Sequence, residues 1–334
     1  MRKKLIVILM IVAFVMPVLS SCANKSDLTK VRLNEVAHSV FYAPQYVALE
    51  LGYFEAEGLD VTLTNGLGAD KTMASVLSGE ADIGFMGSEA SIYVYNEGAE
   101  DYVINFAQLT QRAGNFLLSR DKNEKFTWDN IKGKTVIGGR AGGMPEMVFE
   151  YILKKNGIDP KKDLTIVQNI DFGLTAEAFS AGSGDYTIEF EPSAGALEAG
   201  DKGKVVASLG VESGMVPYTA YSAKKSYLKA NPEVIQGFTN AIQKGMEYVK
   251  THSPTEIAEV IKPQFPETEQ EDLVNIITRY YAQDTWKDNT VFEEASFILL
   301  QDILEEAGEL SNRVPYDVLV NKSFSEKSQD DPQN

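Results

Sequence analysis

Between Val31 and about Ser226 the chain switches repeatedly between two hydrophobic periods, and this switching restricts its fold more than any other feature. Val31-Arg32-Leu33-Asn34-Glu35-Val36 alternates at period two, as a half-buried strand does. Pro44 then stands where a first helical residue is expected, and the helix it opens runs to Gly52. Leu59, Val61 and Leu63 alternate with polar neighbours as a second strand, the turn Asn65-Gly66-Leu67-Gly68 leads into a helix from about Asp70 to Gly79, and Ala81 to Phe85 is a third strand. Lys134 to Gly138, Leu164 to Val167 and Tyr186 to Phe190 continue the strands, with Pro145 opening a helix that closes at Gly157. Strands alternating with helices need crossover connections, so the expected architecture is α/β with largely parallel sheets covered by helices. Beyond Ser226 the pattern turns helical. Asn231-Pro232 starts a helix with Val234, Phe238, Ile242 and Val249 on one stripe, and Ser253-Pro254-Thr255-Glu256 and Thr268-Glu269-Gln270-Glu271 both have capping-box spacing.

Two β-prone stretches, Asn115 to Ser119 and Val216 to Ser222, fall where one series ends and another begins. As a pair of strands crossing between lobes they would make the first lobe discontinuous, with residues 33–116 and 221–325 in lobe one and residues 117–220 in lobe two. The alternative is one large sheet.

The chain opens with Met1-Arg2-Lys3-Lys4, continues as an apolar run from Leu5 to Leu19 and reaches Ser20-Ser21-Cys22. A membrane span needs roughly 20 apolar residues, and this run is shorter, so residues 1–21 read as a signal peptide. Leu19-Ser20-Ser21-Cys22 has the form of a lipobox, with Cys22 as the lipidated residue. Cys22 is also the only cysteine, so no thiol is left for a disulfide, a metal site or a nucleophile. Residues 22–32 are expected to be a polar, lipid-anchored tether, and the tail from Ser323, residues 326–334 above all, a flexible end. The expected location is the extracytoplasmic face of the cell membrane. Cleavage would remove three of the 31 basic residues and leave 28 against 48 acidic ones, a formal charge of −20. Such a surface repels nucleic acid and anionic lipid, so the membrane link has to be the covalent lipid.

Catalytic constellations are scarce. His38 and His252 are the only histidines, and His252 falls at a predicted helix end. HExxH, CxxC and G-x-S-x-G motifs are absent, which leaves no catalytic residue, metal ligand set or cofactor to assign. The loop Gly138-Gly139-Arg140-Ala141-Gly142-Gly143 lacks the Gly-Lys-Ser/Thr ending of a nucleotide loop, and its glycines miss dinucleotide spacing. It shares a position with Asn65-Gly66-Leu67-Gly68, between the carboxyl end of a strand and a helix start, which is where open α/β sheets dock ligands.

His38-Ser39-Val40-Phe41-Tyr42-Ala43-Pro44-Gln45-Tyr46-Val47-Ala48, followed by Leu51-Gly52-Tyr53-Phe54-Glu55-Ala56-Glu57-Gly58-Leu59-Asp60-Val61, resembles the opening of ABC importer binding proteins for nitrate, sulfonates and thiamine pyrimidine precursors, the thiamine pyrimidine synthase-like family. Leu77-Ser78-Gly79-Glu80-Ala81-Asp82-Ile83-Gly84, Ile131-Lys132-Gly133-Lys134-Thr135-Val136 and Arg279-Tyr280 with Trp286 extend the resemblance over residues 33–325. The resemblance implies a type II periplasmic-binding fold, two α/β lobes joined by a two-strand hinge that close around a solute. It further implies a monomer whose partners are a small-molecule solute and the permease and ATPase subunits of an ABC transporter. The family includes eukaryotic enzymes that make the thiamine pyrimidine from their own histidine and pyridoxal phosphate. Those carry a cysteine-rich cluster that this chain lacks, so a binder without cofactor is expected rather than an enzyme.

Strand ends that would face the cleft supply the candidate ligand contacts. They are His38, Ser39, Phe41 and Tyr42 after the first strand, Asn65, Gly66, Gly68, Ala69 and Asp70 after the second, and Met86, Gly87, Ser88 and Glu89 after the third. Gln108 and Thr110 follow a strand from Val103 to Ala107. The second lobe offers Arg140, Gly142, Gly143 and Met144 through to Glu146, then Glu189 and Glu191, with Tyr218 and Tyr221 near the hinge. Phe41 and Tyr42 are adjacent, so one of them should meet the cleft. Asp70, Glu89, Glu146 and Glu191 outnumber Arg140, which favours an amino-heterocycle over a sulfonate or nitrate anion; riboflavin-like solutes remain an alternative. Glu89 and Glu146 fall in first helical turns, where a carboxylate can simply cap. Glu191 is therefore the residue expected to set ligand identity.

Overall fold

The computed structural model describes residues 28–330, so the predicted signal peptide, Cys22 and residues 331–334 lie outside the described residues. Ten strands run through them: β1 (Thr29–Glu35), β2 (Leu59–Asn65), β3 (Ile83–Gly87), β4 (Val103–Thr110), β5 (Asn115–Ser119), β6 (Thr135–Ile137), β7 (Thr165–Val167), β8 (Tyr186–Phe190), β9 (Lys204–Ser208) and β10 (Thr219–Lys224). They form two five-stranded sheets of one design, in the orders β2-β1-β3-β10-β4 and β7-β6-β8-β5-β9. In the first, β1 is parallel to β2 and β3 while β10 is antiparallel to β3 and β4. In the second, β6 is parallel to β7 and β8 while β5 is antiparallel to β8 and β9. Each sheet thus takes its antiparallel strand from the chain segment that has just crossed from the other.

β5 and β10 lie in different sheets, so the two β-prone stretches do not pair with each other. The crossing chains are residues 111–114 and 209–218, and they meet where Val216 N–H donates to the Gln111 carbonyl at 2.8 Å. β5 belongs wholly to the second sheet and β10 begins at Thr219, so the strand limits differ from the expected breaks at 116/117 and 220/221 by a few residues.

The helices follow their sequence signals closely. Ala43–Glu50, Ala69–Ser78, Met144–Lys155 and Pro232–Thr251 all start and stop within a few residues of the Pro and Gly markers. Gly245 is required in the long Pro232–Thr251 helix, because a Cβ there would sit 2.2 Å from the Pro44 carbonyl oxygen of the crossing Ala43–Glu50 helix. In that long helix Ile235, Phe238, Ile242 and Val249 are fully buried, while Val234 is only half buried. Ser253 forms the expected capping box with Glu256. Thr268 forms none: its amide donates to the Phe265 carbonyl and its own carbonyl accepts from Lys262, and the Gln270–Ala282 helix starts one residue later.

Two expectations at the ends are corrected. Residues 29–32 are part of β1, registered on Leu59–Thr62 of β2, and are not tether. The expected flexible tail is a helix as far as Asp330. Its buried face carries Phe324 together with two serines: Ser325 donates to the Phe106 carbonyl, and Gln236 of the long helix donates to Ser328. One apolar side chain and several hydrogen bonds seat this helix, too little apolar surface for hydropathy to signal it.

Candidate functional site

Parallel strands place all their carboxyl ends on one edge of a sheet, and here the two such edges face each other across a cavity of about 880 Å3. The loops after β1, β2 and β3 supply Tyr42, the stretch Leu67 to Lys71, and Gly87 with Glu89. The loops after β6, β7 and β8 supply Arg140 with Gly143 to Pro145, the stretch Gln168 to Phe172, and the end residue Phe190. Tyr218 and Thr219, from the returning crossover, complete the wall. A second compartment of about 780 Å3 shares Leu67, Pro145, Phe172 and Phe190 with the first and is lined by His38, Ser39, Asn65, Asn115, Glu189 and Glu191 among others.

The first compartment is an aromatic box. Tyr42, Phe172, Phe190 and Tyr218 line it, and behind them Phe41 packs at 5.1 to 5.6 Å from Tyr42, Phe190, Tyr218 and Tyr280. Both cations in the wall are paired with carboxylates of the opposite lobe: Arg140 lies 3.7 Å from Asp70, and Lys71 lies 3.9 Å from Asp171. Further ties span the lobes. Tyr93 donates to the Gly142 carbonyl at 2.9 Å, and Ser39 donates to the Glu191 carbonyl at 2.6 Å.

The sequence profile of the family described as "NMT1/THI5 like" matches residues 40–257, more than half of the chain. The chain belongs to this family. It is 48% identical over 314 residues to "Putative binding protein YtlA" of Bacillus subtilis (strain 168), covering 94% of each chain. It is 24% identical over 221 residues, 63% of each chain, to a 4-amino-5-hydroxymethyl-2-methylpyrimidine phosphate synthase of Aspergillus parasiticus. Among solved structures, the alkanesulfonate-binding protein SsuA of Xanthomonas axonopodis pv. citri bound to MOPS superposes with a TM-score of 0.72 at 15% identity, covering 89% of this chain and 99% of that one. The periplasmic nitrate-binding protein NrtA of Synechocystis PCC 6803 superposes with a TM-score of 0.73 at 13% identity, covering 91% and 89%. At those identities the likeness establishes the fold, the two-lobed periplasmic-binding architecture.

Of the predicted contacts, Tyr42, Gly68, Ala69, Asp70, Gly87, Glu89, Arg140, Gly143, Met144 and Tyr218 line the first compartment, and His38, Ser39, Asn65, Glu189 and Glu191 the second. The others turn away. Phe41 is fully buried behind the box, so Tyr42 is the member of that pair that meets the cleft. Met86 packs in a small core cluster with Met73 and Val76. Ser88 donates to the Pro217 carbonyl, and Gly66 is pressed against Thr72 and Asn34. Gln108 and Thr110 lie inside β4, which is longer than predicted; Thr110 bonds the Thr219 hydroxyl at 2.5 Å, and the Gln108 side chain donates to the Thr110 carbonyl. Tyr221 is stacked on Phe85 at 4.1 Å in the core. Gly142 sits at the lip, its carbonyl taken by Tyr93 and its N–H directed at Glu146. Glu146 also accepts from Gln168 at 2.7 Å, so it braces the β6 loop against the β7 loop.

Glu191 is the largest departure from expectation. Its side chain is fully buried, with Oε1 accepting from Arg279 at 2.7 Å and Oε2 from the Gly195 N–H at 2.8 Å. Both oxygens are committed within the protein. The β7 loop, Gln168 to Phe172, was missed, although the strand before it was read correctly and the same strand-end rule points to it.

His38 also has no free nitrogen. Nδ1 faces Glu35 at 2.7 Å and Nε2 faces the Gln264 carbonyl at 2.8 Å. Burial alone would lower its pKa, but the bonds to Glu35 and Gln264 outweigh it and raise it. Both ring nitrogens are thus engaged by partners within the protein.

Proposed function

We propose that this chain is the extracytoplasmic solute-binding component of an ABC-type importer, closing its lobes over one small aromatic heterocycle of the thiamine-pyrimidine-precursor kind and releasing it unchanged. The supporting observation is the aromatic box between the two sets of strand ends, whose only cations, Arg140 and Lys71, already face Asp70 and Asp171. Aromatic walls gain from ring stacking, and a neutral or weakly basic ring needs no free counter-charge. The second reading is an anion, favoured by the fold likeness to an alkanesulfonate-binding and a nitrate-binding protein. An anion would share Arg140 or Lys71 with a carboxylate partner of like charge.

Cys22 would hold the mature protein to the membrane through lipid, and the permease and ATPase subunits would receive the solute. The distant synthase relative raises an enzymatic alternative, which the engaged nitrogens of His38 speak against. Mass spectrometry of the solute extracted from purified protein, combined with small-angle scattering as that solute is added back, tests the reading. One unchanged molecule per chain and a compaction on binding are expected. Repeated turnover of the compound into a product overturns it.

A further inference from the structure

We propose that Glu89 selects the solute, its buried carboxyl pairing with a ring nitrogen and the adjacent exocyclic amine of a heterocycle held in the aromatic box. This rests on the aromatic-solute reading above and assigns the polar specificity within it. Glu89 opens the Glu89–Asn96 helix, and its carboxyl turns back toward its own backbone N–H. It folds over Gly87, where a Cβ would lie 2.1 Å from Oε2 and 2.6 Å from Oε1. Gly87 is needed at that point to leave room for the carboxyl. The residue is 1% exposed, yet it lines the cavity.

Its two oxygens are unequally served. Oε1 accepts one long bond, 3.4 Å, from the Met144 N–H of the opposite lobe, and Oε2 has no hydrogen-bond partner among the described residues. A buried carboxyl oxygen left unpaired is costly, and native interiors rarely tolerate one. Here that oxygen adjoins a cavity, where a ligand N–H satisfies it. The nearest cation, Arg140, is directed at Asp70. Tyr42 and Tyr218 line the same cavity close to the carboxyl, and aromatic walls suit a planar ligand whose edge meets Glu89. Burial pushes the Glu89 carboxyl up to about 7, so near neutral pH it can present an O–H to a ring nitrogen while its other oxygen accepts from the amine. An amidine-type edge offers that acceptor and donor side by side, whereas a sulfonate offers only acceptors.

Calorimetry with three probes tests the assignment: 4-amino-2-methylpyrimidine, 2-methylpyrimidine, which lacks the amine, and benzylamine, which carries a cation beside a ring. Wild type is expected to prefer the aminopyrimidine over 2-methylpyrimidine by about ten- to a hundredfold. Glu89→Leu abolishes that preference and weakens 2-methylpyrimidine less than the aminopyrimidine, since the former loses only its ring-nitrogen bond, and Glu89→Gln, which keeps an acceptor and a donor, retains part of the preference. A merely structural residue would not give that order. If the leucine variant does not fold, the wild-type preference and its partial retention in Glu89→Gln still decide the matter. Equal binding of the two pyrimidines by wild type, full preference in Glu89→Leu, or tighter binding of benzylamine overturns the Glu89 assignment and leaves the aromatic-solute reading standing. Failure of both pyrimidines with tight binding of an alkyl sulfonate overturns both.

Discussion

Replacing Arg279 by alanine isolates a carboxylate that the fold has taken out of water. Glu191 is fully buried, and Arg279 supplies one of its two hydrogen bonds at 2.7 Å while reaching Glu198 with its other nitrogen at 2.8 Å. Removing one partner of a buried pair costs roughly 3–5 kcal/mol. The Arg279 side chain is 40% exposed, so water replaces part of what it gives, and the Gly195 N–H stays in place. The expectation falls to about 2–3 kcal/mol. For a chain of this size that lowers the melting temperature by about 3–5 °C. Glu191→Gln should behave quite differently. Burial raises the Glu191 pKa more than Gly195 and Arg279 lower it, so the buried charge is itself a cost, glutamine keeps the shape and an acceptor oxygen, and Arg279 keeps Glu198 as a partner. The glutamine variant is expected within about 1 kcal/mol of wild type, and Arg279→Ala/Glu191→Gln should recover most of the loss. Thermal and urea unfolding of the ligand-free protein at pH 7 measure all three. An Arg279→Ala variant as stable as wild type refutes the reasoning, and so does a Glu191→Gln variant of unchanged stability that binds 4-amino-2-methylpyrimidine ten times more weakly, since Glu191 would then be a ligand contact.

Phe172→Ala removes a half-buried wall of the box and should weaken binding of an aromatic solute about tenfold without lowering the melting temperature by more than a few degrees, as read by calorimetry and thermal unfolding. Cys22→Ala should move the protein from the membrane fraction to the medium with unchanged solute affinity; if it still pellets with membranes, the lipid anchor is wrong. Burial holds both Glu89 and Glu189 at about 7, above the ordinary 4.5, so between those values the folded protein keeps protons that the unfolded chain releases. Their stabilising effect is complete below about pH 4.5 and is lost as pH rises through 7, on the order of 3 kcal/mol per group. The melting temperature should therefore fall more from pH 5.5 to 8 in wild type than in Glu89→Gln/Glu189→Gln, and parallel slopes in the two would refute the shifts.

The fold was legible because its punctuation is local. Proline at helix starts, glycine at helix ends and period-two strands are read within a few residues, and they recovered β2, β5 and β8 together with the long helix from Pro232. Errors arose where the determining contact is distant in sequence. β4 runs on to Thr110 because Thr219, 109 residues later, bonds it across the sheet. The last helix looked like a loose tail because its buried serines are satisfied by partners on β4 and on the long helix.

The site divides along the same line. That ligands meet the carboxyl ends of parallel strands is a rule of topology, so the loops could be placed before any coordinates. Which carboxylate in those loops faces a ligand depends on who reaches it first. Glu191 is claimed by Arg279, 88 positions away, on a helix whose approach to the second sheet no local pattern reveals. Glu89 is approached by the Met144 N–H, 55 positions away, and only at 3.4 Å, which leaves its other oxygen unpaired. Its place in a first helical turn suggested a cap, the commoner use of an acidic residue there. One local sign spoke against that. Gly87 stands two residues earlier, at the end of a buried strand where a branched side chain packs better, and a glycine in that position marks a close approach from something other than the sheet. What approaches is the Glu89 carboxyl itself, folded over the glycine.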